Sequence, residues 1–174
     1  MYFELNDEWN IKDSHQGLKV DANQILTRPQ GIDSSWIIAV GTIVISKGEI
    51  KTWKIKMLNL KDICFGISDK NPDRDVRDVF LDNRPNSHGF ALDNGRLYSS
   101  HQNNIFRTRY FMKDILNGSV VSMTLDMTGE KFGIVSYKVD DEDCGVAYNN
   151  IPIDKQYIMA VSLGYAEDEI QLLQ

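Results

Sequence analysis

The sequence has few of the residues that build disulfide-linked, metal-binding or nucleic-acid-binding proteins. Only two of its 174 residues are cysteine and three are histidine, and 19 Lys and Arg stand against 25 Asp and Glu. The net charge of −6 argues against nucleic acid or an anionic membrane as the partner. Cys64 lies in the apolar run ICFGIS and is expected to be buried, which favours a reducing, cytoplasmic or nuclear compartment.

Long apolar segments are missing as well. The longest, WIIAVGTIVI at 36–45, is far too short to span a bilayer, and the opening MYFELNDEWNIKD lacks the basic and apolar regions of a signal peptide. Hydrophobic residues nevertheless make up 42% of the chain, which is typical of a globular protein. We therefore expect a soluble, monomeric protein with one domain over residues 1–174.

The hydrophobic pattern repeats every two residues and almost never every 3.6. The segment KTWKIKM places Trp53, Ile55 and Met57 on one face and two lysines on the other, as in a half-buried antiparallel strand. VVSMTLDM, KFGIVSYKV and QYIMAVSLG repeat this alternation, and turn signals rich in Gly, Asp and Asn separate the segments. Many short strands predict an all-β sandwich of two antiparallel sheets, with a helical turn expected only at 73–83.

The acidic run DDED at 140–143 does not fit a metal site. An EF-hand loop that begins at Asp140 needs an oxygen ligand at its fifth position and a glutamate at its twelfth, where this chain has Cys144 and Ile151. No histidine or second cysteine stands nearby to complete a zinc site. The run predicts a solvated hairpin turn, and we expect neither a metal nor a cofactor.

Recognised catalytic motifs are absent from the sequence. It contains no Gly-x-Ser-x-Gly elbow, phosphate-binding glycine loop or Rossmann fingerprint. His15, His88 and His101 stand in separate loops without metal-ligand spacing and are expected to be solvated. Carboxylates are abundant, yet no pair must converge as in a glycosidase. The sequence therefore predicts a binding protein and not an enzyme.

Aromatic residues are expected to serve the core. Trp9, Trp36 and Trp53 are predicted to be buried, Trp53 most clearly because of its strand register. The stretch RLYSSHQNNIFRTRYFMK at 96–113 interleaves arginines with aromatics, as some nucleic-acid-binding segments do. In an acidic protein we expect this stretch to be strand and loop, with its aromatic side chains inward.

The order of the motifs resembles that of a SPRY domain. A strand entered by Gly48 is followed by FGIS at 65–68, HGFALDNGRLY at 88–98, a hairpin segment at 117–151 and then YIMAVSLG. The succession is similar to the family's Gly-Val-Ala, Gly-Asp-Val and Leu-Asp strands, with departures at Lys54 and at DDED. The resemblance implies a concanavalin A-like β-sandwich that acts as a protein-interaction module.

The N-terminal part is similar to two subgroups of that family. WNIKDSHQGLKV at 9–20 resembles the opening of SPRY proteins that are linked to a SOCS box or an F-box, and TRPQGIDSS at 27–35 resembles their first binding loop. Those proteins recruit a target to a ubiquitin ligase, so the resemblance implies a substrate-recognition adaptor. No segment of the sequence resembles a SOCS box or an F-box.

The resemblance also implies a partner-binding surface on three loops. Its candidate residues are Arg28, Pro29, Asp33, Arg77, Phe80, Leu81, Gly164 and Tyr165. Arg and Tyr combine apolar area with directed hydrogen bonds, so Arg28 is expected to pair with a carboxylate or carbonyl of the partner and Tyr165 to be exposed. Phe80 and Leu81 have an alternative role, which is to pack a small core beneath a loop.

The predicted function is binding of a short peptide or loop of a partner protein. The alternative is a lectin-like sandwich that binds carbohydrate, since related jelly-roll folds bind sugars. Its only weak candidate site in the sequence is HQNN at 101–104, because sugar sites cluster amide and acidic side chains beside an exposed aromatic ring.

Overall fold

The chain forms two antiparallel sheets stacked as a sandwich, and this confirms the predicted fold class. The computed structural model describes residues 6–71, 77–100 and 109–174. Within these residues the strands are β1 Lys19–Val20, β2 Ile25–Thr27, β3 Ile37–Ile45, β4 Ile50–Asn59, β5 Ile63–Asp69, β6 His88–Ala91, β7 Arg96–Ser99, β8 Val120–Asp126, β9 Phe132–Val139, β10 Glu142–Pro152, β11 Tyr157–Leu163 and β12 Glu169–Leu173.

Strands that follow each other along the chain often lie in different sheets. One sheet has the order β1-β2-β12-β4-β8-β9-β10, and the other has the order β3-β11-β5-β6-β7. The main core fills the space between them and includes Trp53, Phe65, Tyr137 and Tyr157. Side chains that the alternating pattern assigned to the inner face of β4, β8 and β9 are buried there, so the predicted strand registers are confirmed.

The central strands of the five-stranded sheet, β5, β6 and β11, are buried on both faces over nearly their whole length. Every residue of β11 is buried, although alternation predicted only one buried face. Its outer face carries a second apolar cluster that contains Ile38, Cys64, Leu81 and Ala160. A 3₁₀ turn, Leu81–Asn83, covers this face. The burial of Cys64 therefore depends on a loop and not on the sheet alone. Of the helical turn expected at 73–83, residues 77–80 are not helical and residues 73–76 lie outside the described residues.

The N-terminal segment protects the free edge of β3. Asn10 N donates to Val40 O at 2.8 Å, and His15 N donates to Ile38 O at 2.9 Å. The buried Asp7 carboxylate accepts hydrogen bonds from Trp53 Nε1 at 2.6 Å and from the β3 residue Thr42. Because Trp53 and Thr42 lie in different sheets, Asp7 joins the two. The segment also covers backbone groups that would otherwise invite edge-to-edge pairing.

The acidic run forms the turn of the β9–β10 hairpin, as the sequence predicts. Asp140 and Asp141 occupy the turn with φ of 49° and 66°, the left-handed conformation that two-residue hairpins require. Glu142 already pairs with Val139, so the turn is shorter than the run of acids. Among the described residues, no three His, Cys, Asp or Glu side chains are grouped as a metal site requires.

His88 is not a solvated loop residue, which corrects the prediction from sequence. It begins β6 and is 1% exposed, with Nδ1 3.1 Å from Ser99 Oγ. Its ring packs edge-on against Tyr148, with the two centroids 4.8 Å apart. The half-buried His15 lies 2.8 Å from the Asp78 carboxylate, and His101 lies outside the described residues. No helix in the described part of the chain is long and apolar enough to cross a membrane.

Candidate functional site

Three loops meet at one end of the sandwich. They are residues 28–35, 77–82 and 164–168, and we call them together the loop end. Arg28 N donates to Asp168 O at 3.0 Å and Glu167 N donates to Arg28 O at 2.7 Å, which joins the first loop to the third. Ile38 N donates to Arg77 O at 2.9 Å, which joins the second loop to β3 just after the first. The predicted binding segments are therefore neighbours in space.

Arg28 supports the loop end from within. Its side chain is 5% exposed. Its guanidinium donates to Leu163 O at 2.7 Å, to Ser35 O at 3.1 Å and to Ser34 O. Burial lowers the pKa of this guanidinium, and the charge of Asp168 opposes that shift. The pairing of Arg28 with a partner stays a prediction, and in this structure its charge holds the first loop against β11.

Asp168 plays the matching role in the third loop, and the sequence analysis missed it. The carboxylate is fully buried and accepts hydrogen bonds from Lys61 N at 2.9 Å, Asp62 N at 3.2 Å and Tyr165 N at 2.8 Å. Burial raises the pKa of Asp168, and the backbone donors oppose this shift. The sequence signal for this role is an aspartate three residues after Tyr165, where the turn begins. Asp side chains often accept hydrogen bonds from nearby backbone N–H groups.

An aromatic row, formed by Trp36, Phe80 and Tyr98, crosses the outer face of the five-stranded sheet. The centroids of Trp36 and Phe80 are 4.5 Å apart and those of Phe80 and Tyr98 are 5.1 Å apart, both pairs packed edge to face. All three side chains are half-buried, so Trp36 and Tyr98 are not the inward core residues that the sequence predicted. Leu81 is fully buried below them and has the core role that was the alternative for it.

The remaining candidate residues surround the aromatic row. Tyr165 is 58% exposed and Asp33 is also exposed, whereas Pro29 and Arg77 are half-buried. Gly164 packs against the Trp36 ring of the aromatic row. A Cβ at this position would lie 2.8 Å from Trp36 Cζ3 and 2.9 Å from Asp62 Oδ2. Glycine is therefore needed here for close approach, and the indole and the carboxylate lie within about 6 Å of each other.

Three carboxylates stand on turns of the five-stranded sheet, and we call them the acidic rim. Asp62 lies beside Gly164, Asp82 belongs to the 3₁₀ turn, and Asp93 follows Leu92, whose N donates to Ile63 O at 2.8 Å. Burial raises the pKa of Asp62 to about 6, helped by the charges of Asp93 and Asp168. Burial also raises the pKa of Asp82 and of Asp93. Burial raises the pKa of the Cys64 thiol, and the charges of Asp82, Asp93 and Asp62 add to this shift.

Comparison with known proteins rests on structure. No family model matches the chain, and no curated protein matches its sequence. The fold is similar to the SPRY domain of human HERC1, with a TM-score of 0.74 and 16% identity over 95% of this chain and 97% of that one. It is also similar to the TRIM65 PSpry domain, with a TM-score of 0.69 and 10% identity over 98% and 90% of the two chains.

The chain has the SPRY fold. A further similar structure is the Neuralized NHR1 domain of Drosophila melanogaster, with a TM-score of 0.60 and 14% identity over 98% of this chain and 99% of that one. The similarity to these structures covers 95–98% of this chain and therefore spans both sheets. In this SPRY fold the loop end combines fixed backbone, half-exposed aromatic rings and carboxylates.

Proposed function

We propose that the chain is a non-enzymatic interaction module whose loop end binds a short peptide or an exposed loop of a partner protein. One observation carries the proposal. The exposed Tyr165 and the half-exposed Trp36 stand on or beside backbone that the buried Arg28 and Asp168 fix. Fixed loops lose little entropy on binding, and aromatic anchors supply much of the affinity of protein interfaces.

The residues of the loop end then divide into contacting and supporting groups. Tyr165 and Phe80, together with Trp36 directly after the first loop, would pack against apolar groups of the partner, because each offers ring surface at the end of the sandwich. The exposed Asp33 would accept hydrogen bonds from the partner. Arg28 and Leu81 would act indirectly, by keeping the first and second loops in place.

A substrate-recognition adaptor is the specific role that we propose for this module. The support is the similarity of residues 9–20 and 27–35 to the SPRY proteins linked to a SOCS box or an F-box. The first of these segments covers the β3 edge and the second belongs to the loop end. In such a role the partner bound at the loop end would be the protein that becomes ubiquitinated.

The test is affinity capture with quantitative mass spectrometry on the wild type, Tyr165→Ala and Lys54→Ala. Lys54 is exposed on β4, away from the loop end, and serves as the matched surface control. We expect a protein partner that Tyr165→Ala loses and Lys54→Ala retains. A partner that binds all three equally would contradict the site. A glycan array tests the carbohydrate alternative, whose candidate residues 101–104 lie outside the described residues.

A further inference from the structure

The aromatic row combines ring surface with two hydrogen-bond donors. Trp36 carries an indole N–H and Tyr98 a phenol O–H, and neither group donates to any of the described residues. Neither Trp36 Nε1 nor Tyr98 Oη is buried, so both donors reach solvent. Tyr and Trp serve well at interfaces because an apolar ring and a polar group act together. A ligand that covers this row must therefore supply both apolar surface and hydrogen-bond acceptors.

The row runs across the five-stranded sheet and not along a strand. The Trp36 ring contacts Gly164 directly after β11, whereas Tyr98 belongs to β7 at one edge of the sheet. Two further strands lie between β11 and β7, and each step between strands is about 4.8 Å. The three rings must therefore stand nearly in line to contact each other. Adjacent centroids are 4.5 and 5.1 Å apart, so the row from Trp36 to Tyr98 is roughly 9 Å long.

A polyproline II helix has the same dimension. It has three residues per turn and rises about 3.1 Å per residue, so one turn is about 9 Å long. Side chains three residues apart lie on the same side of it, which places two prolines opposite Trp36 and Tyr98. Its carbonyls are not used within the helix and can accept hydrogen bonds from both donors. Proline has no backbone N–H, so the segment brings few donors of its own that would need a partner.

Other peptide conformations do not match the row. The backbone carbonyls of an α-helix are bonded within the helix and cannot accept from the Trp36 and Tyr98 donors. An added β-strand needs the free backbone edge of a sheet, whereas the row lies on a sheet face. The polyproline II helix is the conformation that offers both free acceptors and apolar side chains at the spacing of the rings.

The charge near the row disfavours an acidic segment. Asp62 and the Trp36 ring both lie within 3 Å of the point where a side chain on Gly164 would begin, which places a carboxylate at one end of the row. The chain as a whole has a net charge of −6. An acidic peptide would therefore be repelled, whereas prolines carry no charge.

The row is also formed before any ligand binds. Gly164 leaves room for the Trp36 ring, and Leu81 is fully buried below Phe80. A polyproline II helix is likewise ordered in the free peptide, so little entropy is lost when the two meet.

From these observations, and resting on the proposed function, we infer that the partner segment bound at the loop end is proline-rich and adopts a polyproline II helix. Two of its prolines, three residues apart, pack on Trp36 and Tyr98, and Phe80 lies between them. Trp36 Nε1 and Tyr98 Oη donate hydrogen bonds to its carbonyls. The occupant is thus a short proline-rich segment of a partner protein.

The test selects peptides from a random twelve-residue phage library on the full chain and measures their affinity by fluorescence polarisation. We expect enrichment of two prolines three residues apart. Replacing both prolines by alanine should weaken binding tenfold or more, because it removes the ring contacts and the preformed helix. Tyr98→Phe removes one hydroxyl and keeps the ring, so it should weaken binding about fivefold, as the loss of one hydrogen bond does.

The matched control is Tyr110→Phe, which removes a hydroxyl that donates to Gly145 O in the other sheet. It should leave the affinity unchanged. Thermal unfolding checks that both variants are folded. Because the Tyr98 hydroxyl has no partner among the described residues, Tyr98→Phe should keep the wild-type Tm.

The outcomes separate this inference from the proposed function. Peptides without paired prolines whose binding is lost in Tyr165→Ala would overturn the proline-rich partner and leave the loop end as the site. Proline-rich peptides that bind Tyr98→Phe and Phe80→Leu as tightly as the wild type would overturn the aromatic row as their site. Peptides indifferent to all three changes would overturn both proposals, and so would a selection that yields no binding peptide.

Discussion

Replacing Arg28 by alanine should destabilise the folded protein, even though the sequence places Arg28 in a surface loop. The change removes donors from three backbone carbonyls, those of Ser34, Ser35 and Leu163. A hydrogen bond to a charged group is worth about 1.5–3 kcal/mol. The net loss is smaller than the sum of these three hydrogen bonds. Burying the guanidinium costs free energy, which also lowers its pKa, and in the variant water can reach the loop carbonyls.

We therefore expect Arg28→Ala to lower the free energy of unfolding by about 2–4 kcal/mol. For a chain of this length that is a fall in Tm of about 6–10 °C. Urea unfolding followed by tryptophan fluorescence measures the loss. Arg28→Lys should lose about half as much, since an ammonium cannot span three carbonyls in one plane.

The control for this experiment is Lys54→Ala on the exposed face of β4, which should change stability by less than about 0.5 kcal/mol. A loss for Arg28→Ala as small as that of the control would refute the supporting role. The side chain would then have to be assigned to partner contact, as the sequence first suggested.

Three further predictions concern the outer face of the five-stranded sheet. Ser162→Ala should raise stability by up to about 1 kcal/mol in urea unfolding, because it removes a buried unpaired hydroxyl. Ser14→Ala, by contrast, should lower stability by about 1 kcal/mol, because Ser14 Oγ donates to Asn10 O at 2.6 Å and accepts from Val40 N at 3.0 Å. Equal effects of the two serine replacements would contradict this. Gly164→Val should displace the Trp36 ring, seen as a red-shifted tryptophan emission, and an unchanged spectrum would contradict the close packing.

A pH series on Asp62→Asn tests the acidic rim as well. The folded-state pKa of Asp62 is about 6, above its usual value near 4, so its contribution to stability is present below about pH 4 and is lost as the pH rises through 6. Asp62→Asn should be more stable than the wild type by about 1 kcal/mol at pH 8, after allowance for solvent screening, and equal to it below pH 4. The same difference at both pH values would show that Asp62 is not perturbed.

The sequence alone determined the class of fold and most of the inner core. Period-two alternation assigns Trp53, Met123 and Tyr137 to one face, because a strand side chain can only point to one side of a sheet or the other. Turn residues located the hairpin turn within DDED at 140–143 for an equally local reason, since few residue types accept the left-handed conformation, and the structure narrows it to Asp140 and Asp141. The order of these motifs also resembled a SPRY domain, whose fold the structure has.

Only the tertiary structure decided which residues of the loop end face solvent. Arg28, Leu81 and Asp168 are buried because other segments of the chain cover them. A local sequence pattern cannot predict burial by a segment that is distant in the sequence. His88 and Trp36 were misplaced for the same reason: one lies in a strand packed on Tyr148, the other is held half-exposed over Gly164. Burial is a property of neighbours in space, whereas alternation reports only the direction in which a side chain leaves its own strand.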